Sequence, residues 1–585
     1  MNHKEWLLAD KNIQYRTINA MIKEHIVSEG MRIKEGTRKV EIFLNDHLLS
    51  LKVARKSALK RYVFTGDIVL ENKKLSQSVE SLEELLQILT EIFHINISKR
   101  LYDELIHSRD SLYETYKHFY NRQTLIHQSM KFSKLPDSIN FIAWLQHLQD
   151  SGITDDLSYS ESLVIEGHPT HPLTKTKLPL STNELKLYAP EFEKVIPLNI
   201  MLIEKNHVVT TAINDDQNFI LNQVIPEYRD RLKCYLEPLR LNLNDYRVML
   251  IHPWQYDHTI GEQFEEWIAK KILLPTPFTV ESKATLSFRT MDLIHTPYHV
   301  KLPVNVQATS AVRTVSSVTT VDGPKLSHAL QGLLQEFPEL QVAMEPFGAY
   351  AHTASDLSKQ LALIIRQKPT IYDYGCTVVT ASLVNPNPID NQAVVDSYLK
   401  WIENEITLDH IKHFIAIYTQ TLVTPLIAYI QNYGMALEAH MQNTIVNLGP
   451  NYKMKFIVRD LGGSRIDLNT LKQKVPQIDV TNESLIADTI EEVIAKFQHA
   501  VIQNQLAELI HHFNQYDEVI EEELFEIVRE EIEMAIDNDK PHAEKLKKIL
   551  FGSTITVKAL LSMRMENKVK KYLNTKLDNP IKKEV

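Results

Sequence analysis

A segment in the last third of the sequence places acidic, basic and amide side chains among apolar residues. It runs from Leu437 to Asn443 and precedes the apolar stretch 444–446. If it is a strand, the alternation of faces puts Glu438, His440 and Gln442 on one side. A carboxylate holds hard cations, whereas imidazole and amide groups hold anionic oxygens. The segment therefore predicts a site for a metal ion and an anionic ligand.

A second polar segment follows closely, from Lys455 to Gly463, and reads as a buried strand ending in Arg459 and Asp460 before a glycine turn. Two neighbouring strands would bring Glu438 and Asp460 to one end. Mg²⁺ usually takes one or two protein carboxylates and completes its shell with substrate phosphates. A Mg²⁺ site is one interpretation, and a satisfied buried polar network in a large core is the other; the residues alone leave both open.

Hydroxyls and guanidiniums that suit a polyphosphate lie earlier in the chain. Ser287 and Arg289 are spaced to share one face of a strand. Residues 301–313 predict a strand, opened by Lys301, that bends near Thr309 into the start of a helix. Thr309 or Ser310 would cap this helix and Arg313 would lie one turn inside it. Arginine offers a fork to phosphate or carboxylate oxygens. Each piece alone also fits an ordinary surface pair.

A rigid loop supplies two further imidazoles. His168-Pro169 and His171-Pro172 lie three residues apart, and proline locks its own φ while restricting the residue before it. The loop can therefore hold His168, His171 and the following Lys175 at defined positions. Zinc binding lacks a third ligand with suitable spacing. The His-Pro pair at His252 favours a turn packed by its neighbouring tryptophan.

Composition narrows the class of protein. The chain has 585 residues, 44% hydrophobic and 24% charged, with a net charge of −10 and two cysteines. These values predict about three domains without a disulfide framework, and they give no basic bias towards nucleic acid. We expect a cytoplasmic protein, because the N-terminus lacks a signal-peptide core and no apolar run approaches the roughly 20 residues of a membrane helix. Only 15 glycines occur and no glycine-rich phosphate loop is present.

The elements that must position these residues can be outlined from periodicity. Helical spacing covers residues 1–30, 80–150 and 408–433, and nearly everything after 480, with Pro541 separating helices at 521–537 and 543–551. Alternation predicts a small antiparallel sheet over 31–72. Strands are predicted at 198–203, 248–251, 300–306 and 376–383. The acidic runs near 521 and 530 fit a solvated helix face. Lys558 and Arg564, near the end of the chain, could also lie on a solvated helix face rather than at a binding site.

Taken in order, these residues resemble a known family. The set G-H-P-x-H-P-x-x-K, H-P-W-Q, S-x-R-T, K-L-P-(x)5-T-S-x-x-R, E-x-H-x-Q-N, R-D-x-x-G and K-A-L-L-x-x-R is similar to the IucA/IucC-type siderophore synthetases. These ligases build carboxylate siderophores without a nonribosomal peptide synthetase. The resemblance covers about residues 160–565, and its order and spacing make it highly specific. Residues 1–150 carry no motif.

The resemblance implies an α+β fold shaped like a cupped hand, with antiparallel sheets and a helical C-terminal part. It implies a thumb-like domain over 1–160, a fingers-like domain with ATP motifs over 161–400, and a palm-like domain over 401–585. A homodimer is expected, with no nucleic acid or membrane partner. The implied reaction uses ATP and Mg²⁺: a carboxylate of citrate, or of a citryl intermediate, attacks the α-phosphate, and an amine or hydroxyl then displaces AMP.

The family's functional residues map onto matching positions. The resemblance implies that the ATP phosphates are bound by Ser287, Arg289, Thr309, Ser310, Arg313, His440, Gln442 and Asn443. The resemblance implies Mg²⁺ at Glu438 and Asp460. It implies direct catalytic roles for Arg313, His440 and Lys301. Candidates for the carboxylate substrate, beyond Arg313 and His440, are His168, His171, Lys175, Lys558 and Arg564.

Three departures from the family pattern concern the substrate pocket more than the ATP site. Lys177 is followed by Leu178 and Pro179 where Arg and Gly are frequent, Ser310 replaces a common Asn, and Gln505 replaces part of an Asn-His pair. Other classes stay open: a ligase that forms an acyl phosphate and releases ADP, a non-catalytic anion-binding protein, and a zinc hydrolase using the His loops. The acceptor amine and the choice between free citrate and a citryl intermediate also stay open.

Overall fold

The computed structural model describes residues 3–136, 138–333, 336–353, 356–368, 375–517, 519–567 and 573–583. An N-terminal unit packs three helices against a five-stranded antiparallel sheet with strands in sequential order. Its elements are α1 (His3–Glu24), β1 (Arg32–Glu35), β2 (Lys39–Leu44), β3 (His47–Ser57), β4 (Arg61–Glu71), β5 (Ser76–Ser78), α2 (Leu82–Glu91) and α3 (Lys99–Phe132). The helical and sheet segments expected in this part of the chain are confirmed within residues 3–132. Ser81 and Ser98 cap α2 and α3 through their hydroxyls.

The middle of the chain builds an eight-stranded antiparallel sheet of order β8-β16-β17-β12-β11-β10-β7-β9, beside a three-stranded sheet of order β14-β13-β6. The elements leading into and through it are α4 (Phe141–Asp150), α5 (Asp156–Glu161), β6 (Lys177–Leu178), α6 (Thr182–Tyr188), β7 (Val195–Glu204), β8 (Val208–Ala212), α7 (Arg229–Leu236), β9 (Tyr246–Ile251), α8 (Pro253–Gln255), α9 (Gly261–Gln263), α10 (Glu265–Ala269), β10 (Leu273–Ala284), β11 (Thr290–Leu293), β12 (Tyr298–Lys301), β13 (Val304–Ala308), β14 (Ala311–Arg313), α11 (Ser317–Gln331), β15 (Leu340–Val342), β16 (Phe347–Ala351) and β17 (Ala362–Gln367).

The last part of the chain combines a four-stranded sheet, β15-β21-β20-β18, with a largely helical C-terminal region. Its elements are β18 (Cys376–Val379), α12 (Val394–Glu403), α13 (Leu408–Tyr433), β19 (Met435–Ala436), β20 (Thr444–Leu448), β21 (Met454–Val458), β22 (Arg465–Ile466), α14 (Leu468–Lys474), α15 (Ile490–Phe497), α16 (Ala507–Phe513), α17 (Ile520–Ala535), α18 (Ala543–Leu550), β23 (Thr554–Lys558), α19 (Leu560–Met565) and β24 (Asn574–Asp578). The antiparallel pair of β23 and β24 departs from the nearly all-helical pattern expected after residue 480.

Three hydrophobic cores correspond to these three parts. The N-terminal core packs α1–α3 on the first sheet, and the second core covers the eight-stranded sheet. The third and largest core surrounds α13 and also takes in Phe141, Trp144 and Leu157. Residues of α4 and α5 therefore pack with the C-terminal part. The domain boundaries expected from the resemblance stay predictions.

Helix α13 is confirmed at the bounds expected from its periodicity. The helix ends at Gly434, whose φ of 62° is left-handed. Glycine adopts this conformation without steric strain because it has no Cβ. By length and composition alone α13 is apolar enough to cross a membrane, so the expectation that no segment approaches that length was too strict. Within the described residues it is the one helix that meets this test, and 61% of its most apolar window is buried inside the protein.

Three local predictions are wrong, and each of them falls on a polar turn. Residues 437–443 form an extended loop and turn rather than a strand, and Ser287 to Arg289 form a turn between β10 and β11. Thr309 begins no helix: with a φ of 56° it turns the hairpin of β13 and β14, which places Arg313 on a strand. In the first two cases the predicted strand continues into a polar turn, and at Thr309 a hairpin turn takes the place of the predicted helix start.

Candidate active site

The two polar segments meet because β20 and β21 are antiparallel neighbours. Thr444 pairs with Val458, so the residues before β20 lie beside the residues after β21. The Arg459 backbone N–H donates to the Asn443 carbonyl oxygen at 2.9 Å. The expectation that Glu438 and Asp460 reach one end of two neighbouring strands is confirmed, although Glu438 arrives on a loop.

Each of the two carboxylates is held by a lysine. Lys301 Nζ lies 2.7 Å from Asp460 Oδ1, and Lys496 Nζ contacts Glu438 Oε1. Burial opposes the charge of Asp460, but Lys301 and Arg366 hold its pKa well below the ordinary value. Burial likewise opposes the charge of Glu438, and Lys496 together with His440 leaves its pKa lowered. Both carboxylates are therefore ionised at neutral pH.

The carboxylate oxygens of Glu438 and Asp460 are the candidate ligands for Mg²⁺. Among the described residues, no group of three or more His, Cys, Asp or Glu side chains is arranged to hold a metal ion. The charge of Asp460 acts to raise the pKa of Glu438, so the two carboxylates lie near each other. Two ionised carboxylates fit a Mg²⁺ ion that takes its remaining ligands from phosphates and water. Binding requires Lys301 and Lys496 to release them.

Glycine is required next to Glu438. A Cβ on Gly463 would stand 1.8 Å from Glu438 Oε2, far inside van der Waals contact. At the adjacent Gly462 a Cβ would meet Thr319 and Asp460 atoms only at 3.5 and 3.7 Å. The glycine turn after Asp460 therefore serves to let one carboxylate approach the backbone.

The turn of Ser287 and Arg289 reaches the same neighbourhood. Gln442 Nε2 donates to the Leu286 carbonyl oxygen at 3.4 Å, which ties the turn to the loop before β20. Arg289 Nη1 donates to the Thr314 carbonyl oxygen, while its buried Nε has no partner among the described residues. Burial and the nearby Arg313 lower the pKa of Arg289 to about 10, so it keeps its charge.

The hairpin of β13 and β14 presents the third group of predicted phosphate ligands. Arg313 Nη2 donates to the Ala308 carbonyl oxygen at 3.1 Å and to Thr309 Oγ1 at 3.3 Å. Burial lowers the pKa of Arg313, but Asp460 and Glu438 act against this shift. The charges of both carboxylates thus act on the guanidinium of Arg313. Ser310 follows Thr309 at the tip of the hairpin.

The His-Pro loop is clamped by the N-terminal helix. Arg16 on α1 donates to the carbonyl oxygens of His168 and Pro169 at 2.5 and 2.8 Å, and its Nη2 lies 2.9 Å from Glu166 Oε2. The rings of His168 and His171 are 5.9 Å apart and nearly perpendicular. Because α1 carries no recognisable motif, the sequence did not predict these contacts of Arg16.

Both imidazoles of the loop are neutral. Nδ1 of His168 accepts from the Thr170 N–H at 3.3 Å, and Nδ1 of His171 accepts from the Leu173 N–H at 3.1 Å. Nε2 therefore carries the proton, and Nε2 of His171 is buried with no partner among the residues described. Burial, Arg16 and Arg564 lower the pKa of His171 to about 4. Such an N–H is suited to donate to an anionic ligand.

Lys175 does not extend into this cluster. Its ammonium is buried against Glu191 and also donates to the Val164 carbonyl oxygen at 3.3 Å. Burial lowers the pKa of Lys175 to about 8, whereas the charge of Lys175 outweighs burial and lowers the pKa of Glu191 to about 2. The pair is therefore charged at neutral pH. This placement favours support of the loop over contact with a substrate.

The two C-terminal candidates lie beside the loop from another direction. Arg564 is buried, and its Nε lies 2.6 Å from Glu104 Oε2 on α3. Its charge contributes to the lowered pKa of His171. Burial lowers the pKa of Lys558, and Glu438 opposes that shift, which places Lys558 near the carboxylates.

Several buried residues that carry no motif hold the site together. Glu161 accepts from the Leu286 N–H at 2.7 Å and pairs with Arg459 at 2.5 Å, which links the two turns. Arg366 lies 2.9 Å from Glu345 and 3.7 Å from Asp460. These pairs join residues distant in sequence, so no local spacing could have revealed them.

The assembled site is a cluster of cationic side chains around two carboxylates. Lys301, Arg289 and Arg313 converge on Asp460, and burial together with Lys496 lowers the pKa of His440 although Glu438 opposes the shift. Neutral imidazoles and fixed positive charges can bind a polyanion and stabilise charge that develops on it. The site therefore suits a reaction between an anionic ligand and a polyphosphate.

Comparison with known proteins gives a consistent result. Residues 156–385 match the model of the IucA / IucC family, and residues 412–573 match that of the ferric iron reductase FhuF-like transporters. The chain is 64% identical to staphyloferrin A synthase of Staphylococcus aureus over 100% of both chains. It is 24% identical to D-ornithine--citrate ligase of the same organism, over 99% of this chain and 94% of that one.

Solved structures support the fold. Petrobactin biosynthesis protein AsbB of Bacillus anthracis aligns with a TM-score of 0.79 at 18% identity, over 99% of this chain and 96% of that one. ATP-bound aerobactin synthetase IucA of Klebsiella pneumoniae aligns with a TM-score of 0.75 at 17% identity, over 98% and 100%. The α+β, cupped-hand architecture expected from the motifs is confirmed.

Proposed function

The chain belongs to the IucA/IucC family of siderophore synthetases, and on this premise we propose that it uses ATP to activate a carboxylate of citrate and joins the acyl group to an amine. The observation that carries the proposal is the 64% identity, over the whole chain, to a staphyloferrin A synthase. The product is then staphyloferrin A or a closely similar siderophore. Within the site, the convergence of Lys301, Arg289 and Arg313 supports a polyphosphate co-substrate.

In the proposed first step a citrate carboxylate oxygen attacks the α-phosphorus of ATP and pyrophosphate leaves. Both reactants are anions, so charge neutralisation and positioning dominate the barrier. Arg289, Arg313 and Lys301 supply fixed positive charge for the phosphates. In this proposal the N–H of His171 and the guanidinium of Arg564 orient the carboxylate. Ser287, Thr309, Ser310, Gln442 and Asn443 add neutral hydrogen-bonding groups.

In the proposed second step an amine attacks the acyl carbon, loses a proton, and AMP leaves. His440 has a lowered pKa, so at neutral pH its imidazole is in the form that accepts a proton. Mg²⁺, bound by Glu438 and Asp460 with the phosphates, would neutralise phosphate charge in the first step. We also propose that the protein acts as a homodimer in the cytoplasm, which light scattering and cell fractionation would test.

The mechanism is tested by identifying products. The purified protein is mixed with ATP, Mg²⁺, citrate and hydroxylamine, and nucleotides and hydroxamates are separated. We expect AMP, pyrophosphate and citryl hydroxamate in equal amounts. ADP and phosphate would instead establish the acyl-phosphate route and overturn the adenylate. Turnover only with a citryl conjugate would show that free citrate is not the activated substrate.

A further inference from the structure

The His-Pro-Trp-Gln segment at residues 252–255 leads from β9 into α8 and carries two fully buried polar side chains. His252 and Gln255 are both 0% exposed, so neither of them meets solvent. A buried amide needs partners for its donor and acceptor atoms, because an unpaired polar group away from water is costly. The partners of Gln255 therefore show which parts of the fold it joins.

The side-chain amide of Gln255 makes four hydrogen bonds, as many as its two donors and two lone pairs allow. Its Oε1 accepts from the Asn305 backbone N–H at 2.9 Å and from the Thr259 hydroxyl at 3.4 Å. Its Nε2 donates to the carbonyl oxygen and to the side-chain Oε1 of Gln360, both at 3.0 Å. A backbone N–H only donates and a backbone carbonyl only accepts, so these partners fix the orientation of the amide. Gln255 thus joins β13 to the segment that precedes β17.

Asn305 lies where the hydrogen-bonded ladder of β13 is interrupted. Val304 pairs with Arg313, and Gln307 pairs with the residue before Arg313 on β14. Two residues of β13 therefore bulge between these pairs, and β6 joins β13 only after them. Asn305 is the first of the two, and the Gln255 amide accepts its N–H in place of a neighbouring strand. Bulges next to active sites re-aim the side chains beside them.

The bonds of Gln255 reach both strands of the hairpin that carries Arg313. On the β13 side, Asn305 directly follows the cross-strand partner of Arg313. On the other side, Gln360 ends a short 3₁₀ helix in which the Lys359 carbonyl oxygen accepts from the Val315 N–H at 3.4 Å. Val315 comes two residues after Arg313. One amide therefore supports β13 directly and the end of β14 through this short helix.

The histidine of the same segment packs against the other turn proposed to bind phosphate. The ring of His252 lies edge-on to the rings of Tyr188 and Phe288, with centroids 4.9 and 6.3 Å away. Phe288 stands between Ser287 and Arg289 and has a φ of 47°. This left-handed conformation strains a bulky residue, so it persists only where the surroundings enforce it. Residues 252–255 therefore contact both turns.

We propose that Gln255 is a positioning residue for the phosphate-binding hairpin: by holding the bulge of β13, it sets the place of the Arg313 guanidinium. The assignment rests on the proposed function and adds to it a residue that touches no substrate. Fixed charges stabilise a polyanion best when they are held in place before it binds. Loss of the Gln255 amide should weaken binding of ATP. Binding of citrate at the His-Pro loop should stay unchanged, since Arg16 holds that loop.

The test compares two buried glutamines. Gln431 on α13 is 2% exposed, and its amide bonds only to the backbone of Asp537 and Pro541, so Gln431→Leu is the matched control. Calorimetry measures the Kd for ATP with Mg²⁺ and, separately, the Kd for citrate. We expect Gln255→Leu to raise the Kd for ATP about 10-fold, because a misplaced guanidinium loses charge-assisted contacts with phosphate. Gln431→Leu should change neither constant.

Gln255→Glu gives a second readout. An ionised glutamate keeps an acceptor for the Asn305 N–H but turns an anion towards the two oxygen atoms of Gln360. Protonation restores a donor, and burial raises the pKa of such a carboxyl group. Relative to wild type at the same pH, the Kd for ATP of this variant should be raised at about pH 8 and recover towards about pH 6. Gln255→Leu cannot titrate and should show no recovery.

Two results would overturn the positioning role: a folded Gln255→Leu that binds ATP as wild type does, or one that loses affinity for ATP and citrate equally. If Gln255→Leu does not fold, Gln255→Glu decides, and a raised Kd without recovery at the lower pH counts against the role. If Gln255→Leu weakens ATP binding but wild type forms no hydroxamate from ATP and citrate, the proposed reaction fails and the positioning role stands. Wild type that binds no ATP would remove both.

Discussion

Arg313 senses both active-site carboxylates while its guanidinium holds the tip of the hairpin at Ala308 and Thr309. A fixed positive charge at this point would act on the phosphates in the first step. We therefore expect Arg313→Ala to lower the rate of hydroxamate formation about 10²-fold or more, as for the loss of one preorganised electrostatic group. A correctly folded variant, judged by its melting temperature, that kept most of its rate would contradict the assignment.

The close approach of Glu438 to the glycine turn gives a second prediction. Gly463→Ala places a methyl group where Glu438 Oε2 lies and must displace the carboxylate by an ångström or more. We expect the rate to fall about 10²-fold, because displacements of that size have such effects on positioned groups. The matched control is Gly462→Ala, whose methyl group meets only ordinary contacts. Equal rates for the two variants would show that Glu438 is not needed in its present place.

Lys175 gives a prediction about stability. Lys175→Met leaves Glu191 buried without its partner, and loss of one member of such a pair costs about 3–5 kcal/mol in the free energy of unfolding. The double variant Lys175→Met with Glu191→Leu should recover most of this loss and retain turnover. Denaturant unfolding and hydroxamate assays measure the two effects. Recovered stability with lost activity would instead give Lys175 a role at the substrate.

At the scale of elements, periodicity predicted more of the fold than of the site. The helix at 408–433 and the helices near 520 and 543 lie where apolar spacing put them, because one buried face imposes that spacing over many residues. The loops at Ser287, Thr309 and Glu438 carry candidate site residues on polar turns, where no such constraint acts. The motifs named most of the charged residues, Lys301 among them, but Lys496, the partner of Glu438, lies outside every motif.

A single substitution at Arg16 removes the contacts by which α1 holds the His-Pro loop. Arg16→Ala removes two hydrogen bonds to the loop backbone and the ion pair to Glu166. If Arg16 positions the loop, KM for citrate should rise about 10-fold while KM for ATP stays unchanged, since only the imidazole side of the site is displaced. Initial rates at varied citrate and varied ATP separate the two. A proportional rise in both constants would indicate general loosening of the fold.

Across the whole molecule, burial keeps a set of histidines neutral. The pKa is lowered for His168, His171, His252, His299, His499 and His511. Burial is the first cause in each, and the pKa of His171 is about 4 and that of His252 and His499 about 3. Unfolding exposes imidazoles that titrate near 6.5. Between about pH 6.5 and 4 the unfolded chain thus binds more protons than the folded one.

The free energy of unfolding should therefore fall as the pH decreases from 6.5 towards 4, by up to about 1.4 kcal/mol per pH unit for each histidine involved. Burial raises the pKa of Asp156 to about 7, so this group acts in the opposite direction. Burial also raises the pKa of five other carboxyl groups, which oppose the histidines in the same way: Asp10, Glu24, Asp292, Glu521 and Glu531. Melting temperatures from pH 7 to 5 measure the slope. His252→Asn, which keeps an acceptor for the Trp254 N–H, should reduce it. A flat profile would contradict the prediction.

The contacts of Glu24 with the start of α19 join residues separated by more than 530 positions. Lys558 and Arg564, on either side of those contacts, stand near the end of the chain, while Arg16 stands near its beginning. A polypeptide still emerging from the ribosome therefore holds the turns proposed to bind phosphate long before it holds Lys558 and Arg564. On the proposed assignment, the chain would act on ATP and citrate only after the segment that carries Lys558 and Arg564 has packed against α1.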